Sequence, residues 1–399
     1  MNLGHDVPDL PETHYLDNRI FTDEGIFTEE MQRIFANSWL FVCHEGEIAT
    51  IGDFRTTSAG GKPIVVVRGS DGNIRAFYNV CRHRSAQVVR EDAGNAVGFQ
   101  CFYHHWTYGL DGRCTSIAKP EGYANVTLDK DTLGLVEVRC ELMAGLVFVN
   151  LTTDAEPLED YLGDIMLPLM EPLGTVPLDV FHFHKSEVQT NWKLWQDNNS
   201  ERYHSILHAI NRKTLPWVTG KTSPMKLRLH TNGHSGYWSD GDAKVDYAAG
   251  GYTGDTGGPL PGMQTDEMRV VNLFPDTMIN IRSNVIRIDR MVPVSPGRTL
   301  VEWRGLGAQA GSVEMRDEQL RHHNMLWGPA GRNLPEDIIA VEAQWQGMGA
   351  DVVRYSILAR EEDLNPTDDA NVRAYYQEWG RRMGRRPNAP LSNKELAHA

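Results

Sequence analysis

The most constraining feature of the sequence is the stretch from Cys81 to His104. It carries two short patterns, Cys81-x-His83 and Cys101-x-x-His104, separated by a spacer. A structural zinc site usually groups its cysteines on one element and its histidines on another. Here each loop offers one thiolate and one imidazole, which favours a two-metal cluster over a single structural zinc ion.

This set of ligands is typical of one iron–sulfur centre. In a Rieske [2Fe–2S] centre two cysteines hold one iron and two histidines hold the other, and the imidazoles raise the reduction potential. The second loop continues through Trp106 and Tyr108 to Gly109, an aromatic turn able to shield a cluster from water. The alternatives are a structural zinc ion or unmetallated cysteines in a core. We predict that the cluster ligands are Cys81, His83, Cys101 and His104.

The same passage resembles the Rieske motif of ring-hydroxylating non-haem iron oxygenases. The motif of that family is C-x-H-R, a spacer, then C-x-Y-H-x-W, and Arg84, Tyr103 and Trp106 match it as well. The resemblance implies an α+β fold, in which a small antiparallel β domain carries the cluster. It also implies a larger catalytic domain, with an antiparallel sheet covered by helices in a helix-grip, START-like arrangement.

Hydrophobic periodicity divides the chain in a compatible way. Residues 27–38 read as an amphipathic helix capped by Thr28, within an N-terminal helical segment, 1–40, that we expect to pack on the catalytic domain. Asp71-Gly72 lies between runs rich in β-branched residues, which is a strong hairpin signal. Further short strands are predicted near 98–102, 135–139 and 145–151. We therefore predict a Rieske domain over 41–151 and a catalytic domain over 152–399.

A second group of metal-ligand residues follows an acidic linker. Glu201, His204 and His208 would share one face if 191–211 were a continuous helix. Two imidazoles one helical turn apart can bind one metal, and two histidines with one carboxylate are the known ligand set of Fe(II) oxygenases. The carboxylate has to come from further along the chain, where Glu336, Asp337 and Glu342 are candidates. Alternatively, Glu336 and Asp337 merely begin a helix after Pro335.

The family resemblance extends to both of these regions. Residues 191–204 resemble its N-W-K-x-x-x-E-N-x-x-D/E-x-Y-H motif, and 328–331 resemble its G-P-A-G segment, after which the iron-binding Asp falls on Asp337, with Glu336 as the runner-up. The resemblance implies that His204, His208 and Asp337 hold a mononuclear Fe(II). It also implies that Glu201 bridges a cluster histidine of one subunit to an iron-ligand histidine of the next.

Three departures from the family pattern bear on the substrate. Asp197 stands where the family usually has Glu, three residues rather than four separate His204 from His208, and Glu201 stands where aromatic dioxygenases often have Asp. Glu at that position also resembles members that oxidise betaine-type substrates. None of the three removes a metal ligand.

Two further stretches are predicted as strands of the catalytic domain. Residues 178–191 alternate with a period of two, so His182 and His184 are more readily strand-face residues than ligands. Residues 268–308 read as three antiparallel strands. A buried Arg287 there could bind a substrate carboxylate through a bidentate pair, or it could pair with Asp289.

Charge and composition exclude several classes of protein. The net charge is −14 and no basic run occurs, so we expect no nucleic-acid partner. We also expect no membrane span and no signal peptide, since no apolar run of the required length is present. The five cysteines, two of them cluster ligands, fit a reducing cytoplasm.

The resemblance covers nearly the whole chain and implies the α (catalytic) subunit of a Rieske non-haem iron oxygenase. Such a subunit uses O2 and electrons from a separate NAD(P)H-dependent reductase or ferredoxin, and the chain has no flavin or nicotinamide fingerprint of its own. The resemblance implies a homotrimer or an α3β3 assembly with a small β subunit. The segments GDFRTT and KPIVVVR are most similar to terephthalate-type and salicylate-hydroxylase-type members, so we expect hydroxylation or dihydroxylation of an aromatic, carboxylated small molecule.

Two other functions stay open at this point. One is a Rieske monooxygenase or demethylase of a betaine-type or methoxy compound, which Glu201 favours. The other is a Rieske electron carrier without oxygenase activity, which would not need His204, His208 and Asp337.

Overall fold

The computed structural model describes residues 4–126, 128–215, 217–218, 223–239, 241, 244–252, 257–360 and 368–389. Within them the chain divides into two compact units, Phe35–Leu158 and Met1–Ile34 together with Glu159–Ala399. None of the helices in these ranges is both long and apolar enough to span a membrane.

The strands of the described residues, in chain order, are β1 Tyr15–Asp17, β2 Leu40–His44, β3 Asp53–Ala59, β4 Lys62–Arg68, β5 Ile74–Tyr78, β6 Ala93–Asn95, β7 Phe99–Gln100, β8 Thr107–Tyr108, β9 Cys114–Ser116, β10 Glu137–Met143, β11 Leu146–Asn150, β12 Leu178–Val188, β13 Lys226–Leu229, β14 Ser235–Trp238, β15 Met268–Leu273, β16 Thr277–Arg282, β17 Val285–Ser295, β18 Arg298–Ala308 and β19 Tyr355–Ile357. The α-helices are α1 Arg19–Thr22, α2 Glu24–Arg33, α3 Leu158–Leu162, α4 Leu167–Gly174, α5 Trp192–Ser200, α6 Asn211–Thr214, α7 Val313–Trp327, α8 Leu334–Gly349 and α9 Ala370–Met383.

The smaller unit is built on an antiparallel sheet in the order β2-β11-β10-β5-β4-β3-β6, beside a three-stranded sheet β7-β8-β9. The predicted hairpin at Asp71-Gly72 is confirmed: β4 pairs with β5, and Gly72 turns the chain with a φ of 82°, a conformation that glycine adopts at little cost. Buried apolar residues of both sheets, among them Val65, Phe77 and Phe99, form one core cluster with Cys81 and Cys101.

The larger unit is built on a second antiparallel sheet in the order β12-β18-β17-β16-β15-β14-β13. Residues 268–308 form four strands, not the predicted three, because the turn at Pro275 and Asp276 splits the first stretch into β15 and β16. The strand predicted over 178–191 is confirmed as β12, which ends at Val188, and Ala370–Met383 form the C-terminal helix α9. Val285–Val292 of β17 is buried on both faces of the sheet.

The N-terminal helix begins earlier than predicted. Helix α2 begins at Glu24 because the Asp23 carboxylate accepts a hydrogen bond from the backbone N–H of Ile26 at 2.9 Å, and it ends at Arg33. The predicted cap, Thr28, lies inside the helix and donates to the carbonyl of Glu24. Near the end of this helix, Glu30 accepts hydrogen bonds from Trp192 and Trp379, so the N-terminal helix packs against α5 and α9.

Candidate metal centres

The two Cys-His loops adopt the same tight turn. The backbone N–H of Ser85 donates to the carbonyl of Cys81 at 3.0 Å, and the backbone N–H of His105 donates to that of Cys101 at 2.9 Å. Ser85 and His105 have φ values of 60° and 57°. Residues other than glycine seldom adopt this left-handed conformation, and such residues concentrate at functional sites. The sequence symmetry of the two patterns is therefore matched by backbone symmetry.

The two loops bring their histidines together and bury their cysteines. The rings of His83 and His104 lie 4.5 Å apart between centroids, and the ring of His83 stacks on Trp106 at 4.9 Å. The Tyr123 hydroxyl lies 3.2 Å from His83 Nε2, whereas His83 Nδ1 is buried without a hydrogen-bond partner in the described part of the chain. A buried imidazole nitrogen left free in this way fits a metal ligand.

The two cysteines of this site are buried. Burial raises the pKa of the Cys101 thiol, although the backbone N–H groups of Tyr103 and His104 counteract this. The sulfur of Cys81 lies 3.2 Å from the Tyr108 hydroxyl. Hydrogen bonds to cluster sulfurs are one of the means by which a protein sets the reduction potential.

The second candidate site lies after α5 and is not on one helix, which corrects the sequence prediction. Helix α5 ends at Ser200, and Glu201 adopts an extended conformation with φ −105° and ψ 163°. The Glu201 carboxylate folds forward and accepts the backbone N–H of His204 at 3.1 Å, so this side chain caps the 3₁₀ turn Tyr203–Ile206. Local side-chain capping of this kind competes with helix continuation.

The break still brings the predicted ligands together. Asp337 Oδ1 lies 3.1 Å from His208 Nε2 and 3.5 Å from His204 Nε2. Among the described residues, these two histidines and one aspartate offer ligand atoms close enough together to hold a single metal ion. Asp337 Oδ1 is buried and accepts no well-aligned hydrogen bond there, which fits an oxygen that faces a cation. Burial would raise the pKa of Asp337, but the two imidazoles hold that pKa below its usual value.

Each histidine of this group uses its other nitrogen to contact a carboxylate. His204 Nδ1 lies 2.5 Å from Glu201 Oε1, and His208 Nδ1 lies 2.7 Å from Glu336 Oε2. Metal-bound histidines almost always donate their second N–H in this way, which fixes the ring and the tautomer. Burial would lower the pKa of His204, and the Glu201 carboxylate outweighs it and raises that pKa.

The other two candidates for the carboxylate ligand, Glu336 and Glu342, contact other groups. Glu336 contacts the nitrogen of His208 that faces away from Asp337, a supporting role that the sequence did not predict. The sequence feature that could have indicated this role is the pair of consecutive acids at the start of α8. Glu342 accepts the backbone N–H of Gln189 at 3.0 Å.

The strand-face histidines pair with each other. His182 Nε2 lies 2.7 Å from His184 Nδ1, and His184 stacks on Trp303.

A small cavity of about 40 Å³ adjoins the three metal-ligand residues, and its other lining residues are strongly polar. Arg287, which lines it, makes two hydrogen bonds to Asp289, at 2.6 and 2.7 Å, and one to Asn199. Of the two roles predicted for Arg287, the structure thus contains the pairing with Asp289. Two further arginines of the lining, Arg202 and Arg282, were not singled out from the sequence.

Comparisons with known proteins agree across both units. Residues 38–127 match the family described as Rieske [2Fe-2S] domain, and residues 177–384 match the ring hydroxylating alpha subunit (catalytic domain). The chain is 40% identical to 2-aminobenzenesulfonate 2,3-dioxygenase subunit alpha of Alcaligenes sp, over 95% of this chain and 96% of that one. It is 36% identical to methanesulfonate monooxygenase hydroxylase subunit alpha of Methylosulfonomonas methylovora, over 96% and 94%. It is 31% identical to the alpha 2 subunit of terephthalate 1,2-dioxygenase of Comamonas sp, over 80% and 82%.

Solved structures share the fold. Naphthalene 1,2-dioxygenase from Rhodococcus sp. superposes with a TM-score of 0.79 at 23% identity, over 92% of this chain and 94% of that one. A quaternary ammonium Rieske monooxygenase superposes with a TM-score of 0.75 at 23% identity, over 95% and 100%.

Proposed function

This chain belongs to the α subunits of the Rieske ring-hydroxylating oxygenases, and from that membership we propose which residues hold its two metal centres and which class of acid it oxidises. The protein is a terminal oxygenase with a Rieske [2Fe–2S] domain and a catalytic domain of the kind that binds mononuclear iron. Oxygenase α subunits of this family work with a reductase or ferredoxin, and they multimerise. We propose that Cys81, His83, Cys101 and His104 hold the cluster.

The mononuclear Fe(II) is assigned to His204, His208 and Asp337. The convergence of Nε2, Nε2 and a buried carboxylate oxygen is the observation that carries this assignment. When bound, the two centres supply stored electrons and the redox chemistry that O2 requires. The protein's own contribution is to orient both imidazoles through Glu201 and Glu336, to keep Asp337 ionised, and to line the adjacent cavity with fixed charges.

We propose that Glu201 also connects the centres across a subunit boundary. One of its oxygens holds His204, and the side chain keeps 18% of its surface exposed, so it can contact a second group. In a homotrimer, or an α3β3 assembly with a small β subunit, that group would be a cluster histidine of the next subunit. The domain limits in this proposal are 41–151 for the cluster domain and 152–399 for the catalytic domain, with 1–40 packed on the latter.

The substrate is proposed to be an organic acid, and the preferred acid group is a sulfonate. Two relatives, 40% and 36% identical over at least 94% of both chains, are named for 2-aminobenzenesulfonate and methanesulfonate, and the terephthalate relative is named for an aromatic carboxylate. We therefore extend the substrate class expected from the sequence, aromatic carboxylates, to include aromatic sulfonates. The quaternary ammonium group of a betaine-type substrate is disfavoured in this cavity, because buried guanidinium groups line it next to the metal ligands.

A small alkanesulfonate is the second candidate. The cavity of about 40 Å³ is well below the roughly 150 Å³ of a cavity that accommodates benzene. An aromatic ring would therefore have to occupy additional space that opens on binding.

The proposed location is a reducing cytoplasm. None of the five cysteines, all of which lie in the described residues, forms a disulfide bond, a state that oxidising compartments do not favour.

Oxygen uptake and metal content test the proposed function together. The isolated chain should contain about three irons, two in the cluster and one mononuclear, whereas an electron carrier would contain two. With a suitable reductase, O2 consumption should depend on an aryl- or alkylsulfonate or an aromatic carboxylate, with oxygenated product. Stoichiometric oxidation of a betaine without turnover of any sulfonate or aromatic carboxylate would contradict the proposal.

A further inference from the structure

Two arginine side chains beside the metal-ligand residues are buried. Arg202 is 6% exposed and Arg282 is 4% exposed, and both line the cavity that His204, His208 and Asp337 also line. Arg202 follows Glu201 in the turn after α5, and Arg282 is the last residue of strand β16. Two separate elements therefore deliver a guanidinium group to one small space.

Neither group has an acidic partner within the described ranges. The Arg202 side chain contacts the sulfur of Met268 at 3.8 Å and lies 4.9 Å above the Tyr237 ring. Arg282 lies 5.6 Å from the Trp327 ring, and its Nε makes no hydrogen bond there. Burial lowers the pKa of Arg282, and the nearby positive charge of Arg202 lowers it further. An isolated buried charge is costly, so such groups are normally paired.

The other buried arginines of the same sheet follow that rule. Arg287 makes a two-pronged pair with Asp289, Arg304 lies 3.1 Å from Glu302, and Arg290 lies between Asp276 and Glu302. Of the three arginines that line the cavity beside the metal-ligand residues, Arg287 is thus paired with an acid, whereas Arg202 and Arg282 have no acidic partner among the described residues.

A ligand with a negative charge would supply the missing partner. Guanidinium groups bind planar and tetrahedral oxyanions through paired N–H···O bonds, and these are stronger than bonds between neutral groups. We propose that Arg202 and Arg282 bind the oxyanion head group of the organic acid, sulfonate or carboxylate, and thereby hold its carbon skeleton beside the mononuclear iron. This inference rests on the proposed function, since it takes the cavity to be the substrate site.

Binding of a matched series of ligands to the iron-loaded protein tests the proposal. Titration calorimetry would compare benzenesulfonate, benzoate and methanesulfonate with benzenesulfonamide, a neutral ligand of nearly the same shape. We expect the anions to bind at least about tenfold more tightly than the sulfonamide. Arg282→Gln and Arg202→Gln should each weaken anion binding by about tenfold to one hundredfold and leave sulfonamide binding unchanged.

The relative affinities identify the head group and the skeleton. Tighter binding of benzenesulfonate than of benzoate indicates a sulfonate site, and the reverse order indicates a carboxylate site. Tighter binding of methanesulfonate than of either aromatic acid indicates a short alkyl substrate. Each of these orders supports an oxyanion site, provided that it depends on both arginines.

Arg298→Gln is the matched control, because it removes the same charge from an exposed residue. Arg298 lies at the β17–β18 hairpin and pairs with Glu187 of β12. The control variant should leave all four affinities unchanged. A second measurement guards against misfolded variants: without ligand, the thermal midpoint of Arg282→Gln should equal or exceed that of the unmodified protein, since an uncompensated buried charge has been removed. A lower midpoint would reveal a structural partner for Arg282 and overturn the proposal, as would wild-type anion binding in both variants.

The outcome is separable from that of the proposed function. Arginine-dependent anion binding without any oxygen consumption would refute the proposed oxygenation of these acids and leave the binding site intact. Turnover of a sulfonate with an unchanged KM in both variants would refute the binding site and leave the oxygenase function intact.

Discussion

Replacing Glu336 with alanine tests how the iron site is supported. The change removes the carboxylate oxygen that lies 2.7 Å from His208 Nδ1 and leaves the three proposed ligands in place. Loss of such a partner of a metal-bound histidine typically reduces metal affinity by about 10- to 100-fold, or about 1.4 to 2.8 kcal/mol. Because the Glu336 side chain is 34% exposed, water can replace part of the contact. We therefore expect a reduction near about tenfold.

The assay is competition for Fe(II) between the protein and a chelator, which measures the affinity of the catalytic site for iron. The visible spectrum of the Rieske cluster serves as an internal control that the cluster stays intact. Asp337→Ala should lose mononuclear iron altogether, and Glu336→Gln, which keeps an acceptor oxygen, should fall between Glu336→Ala and the unmodified protein. If Asp337→Ala kept its iron while Glu336→Ala lost it, the two acids would have to exchange roles.

Three further predictions concern electron transfer and stability. Glu201→Gln should retain both metals and a reducible cluster but slow product formation by orders of magnitude, with the cluster left reduced in rapid mixing with O2 and substrate; reoxidation at the normal rate would disprove the bridging role. His83→Cys should lower the cluster potential by hundreds of millivolts, on the order of the difference between Rieske and plant-type centres, which redox titration measures; unaltered turnover would contradict the ligand assignment. Burial raises the pKa of Asp276 to about 7. Between the pKa of an unfolded aspartate and pH 7, the folded chain therefore holds a proton on Asp276 that the unfolded chain has lost, so this group makes the free energy of unfolding fall as the pH rises. Asp276→Asn should remove that part of the fall, seen as a smaller loss in thermal midpoint from pH 5 to pH 7, and an unchanged difference would contradict the shifted pKa.

Local patterns were enough to predict the candidate ligands. Cysteine and histidine spacing singled out the proposed cluster ligands because both loops are short, so the pattern is contained within a few adjacent positions. His204 and His208 were found for the same reason. The continuous helix assumed for them was wrong, since periodicity does not register a side chain such as Glu201 that caps a new turn through its own backbone contacts.

Contacts between distant segments were beyond the reach of the same patterns. The role of Glu336 depends on a contact with His208 across 128 positions of the chain. The alternation along β17 suggested two equal roles for Arg287, and only the distance to Asp289 distinguished them. Arg282 gave no signal, because what sets it apart is that it contacts no acid among the described residues, and a sequence does not display an absence of contacts.

The turn after α5 has a consequence for how this enzyme can diverge. Glu201, Arg202 and His204 lie within four consecutive positions, so the residues proposed for electron entry, head-group binding and iron ligation share one short piece of backbone. A mutation that reshapes this turn to admit a new substrate would disturb all three at once. Arg282 lies at the end of a strand, apart from that turn. Descendants of this protein that acquire new substrates should therefore change first at Arg282 and last at Arg202.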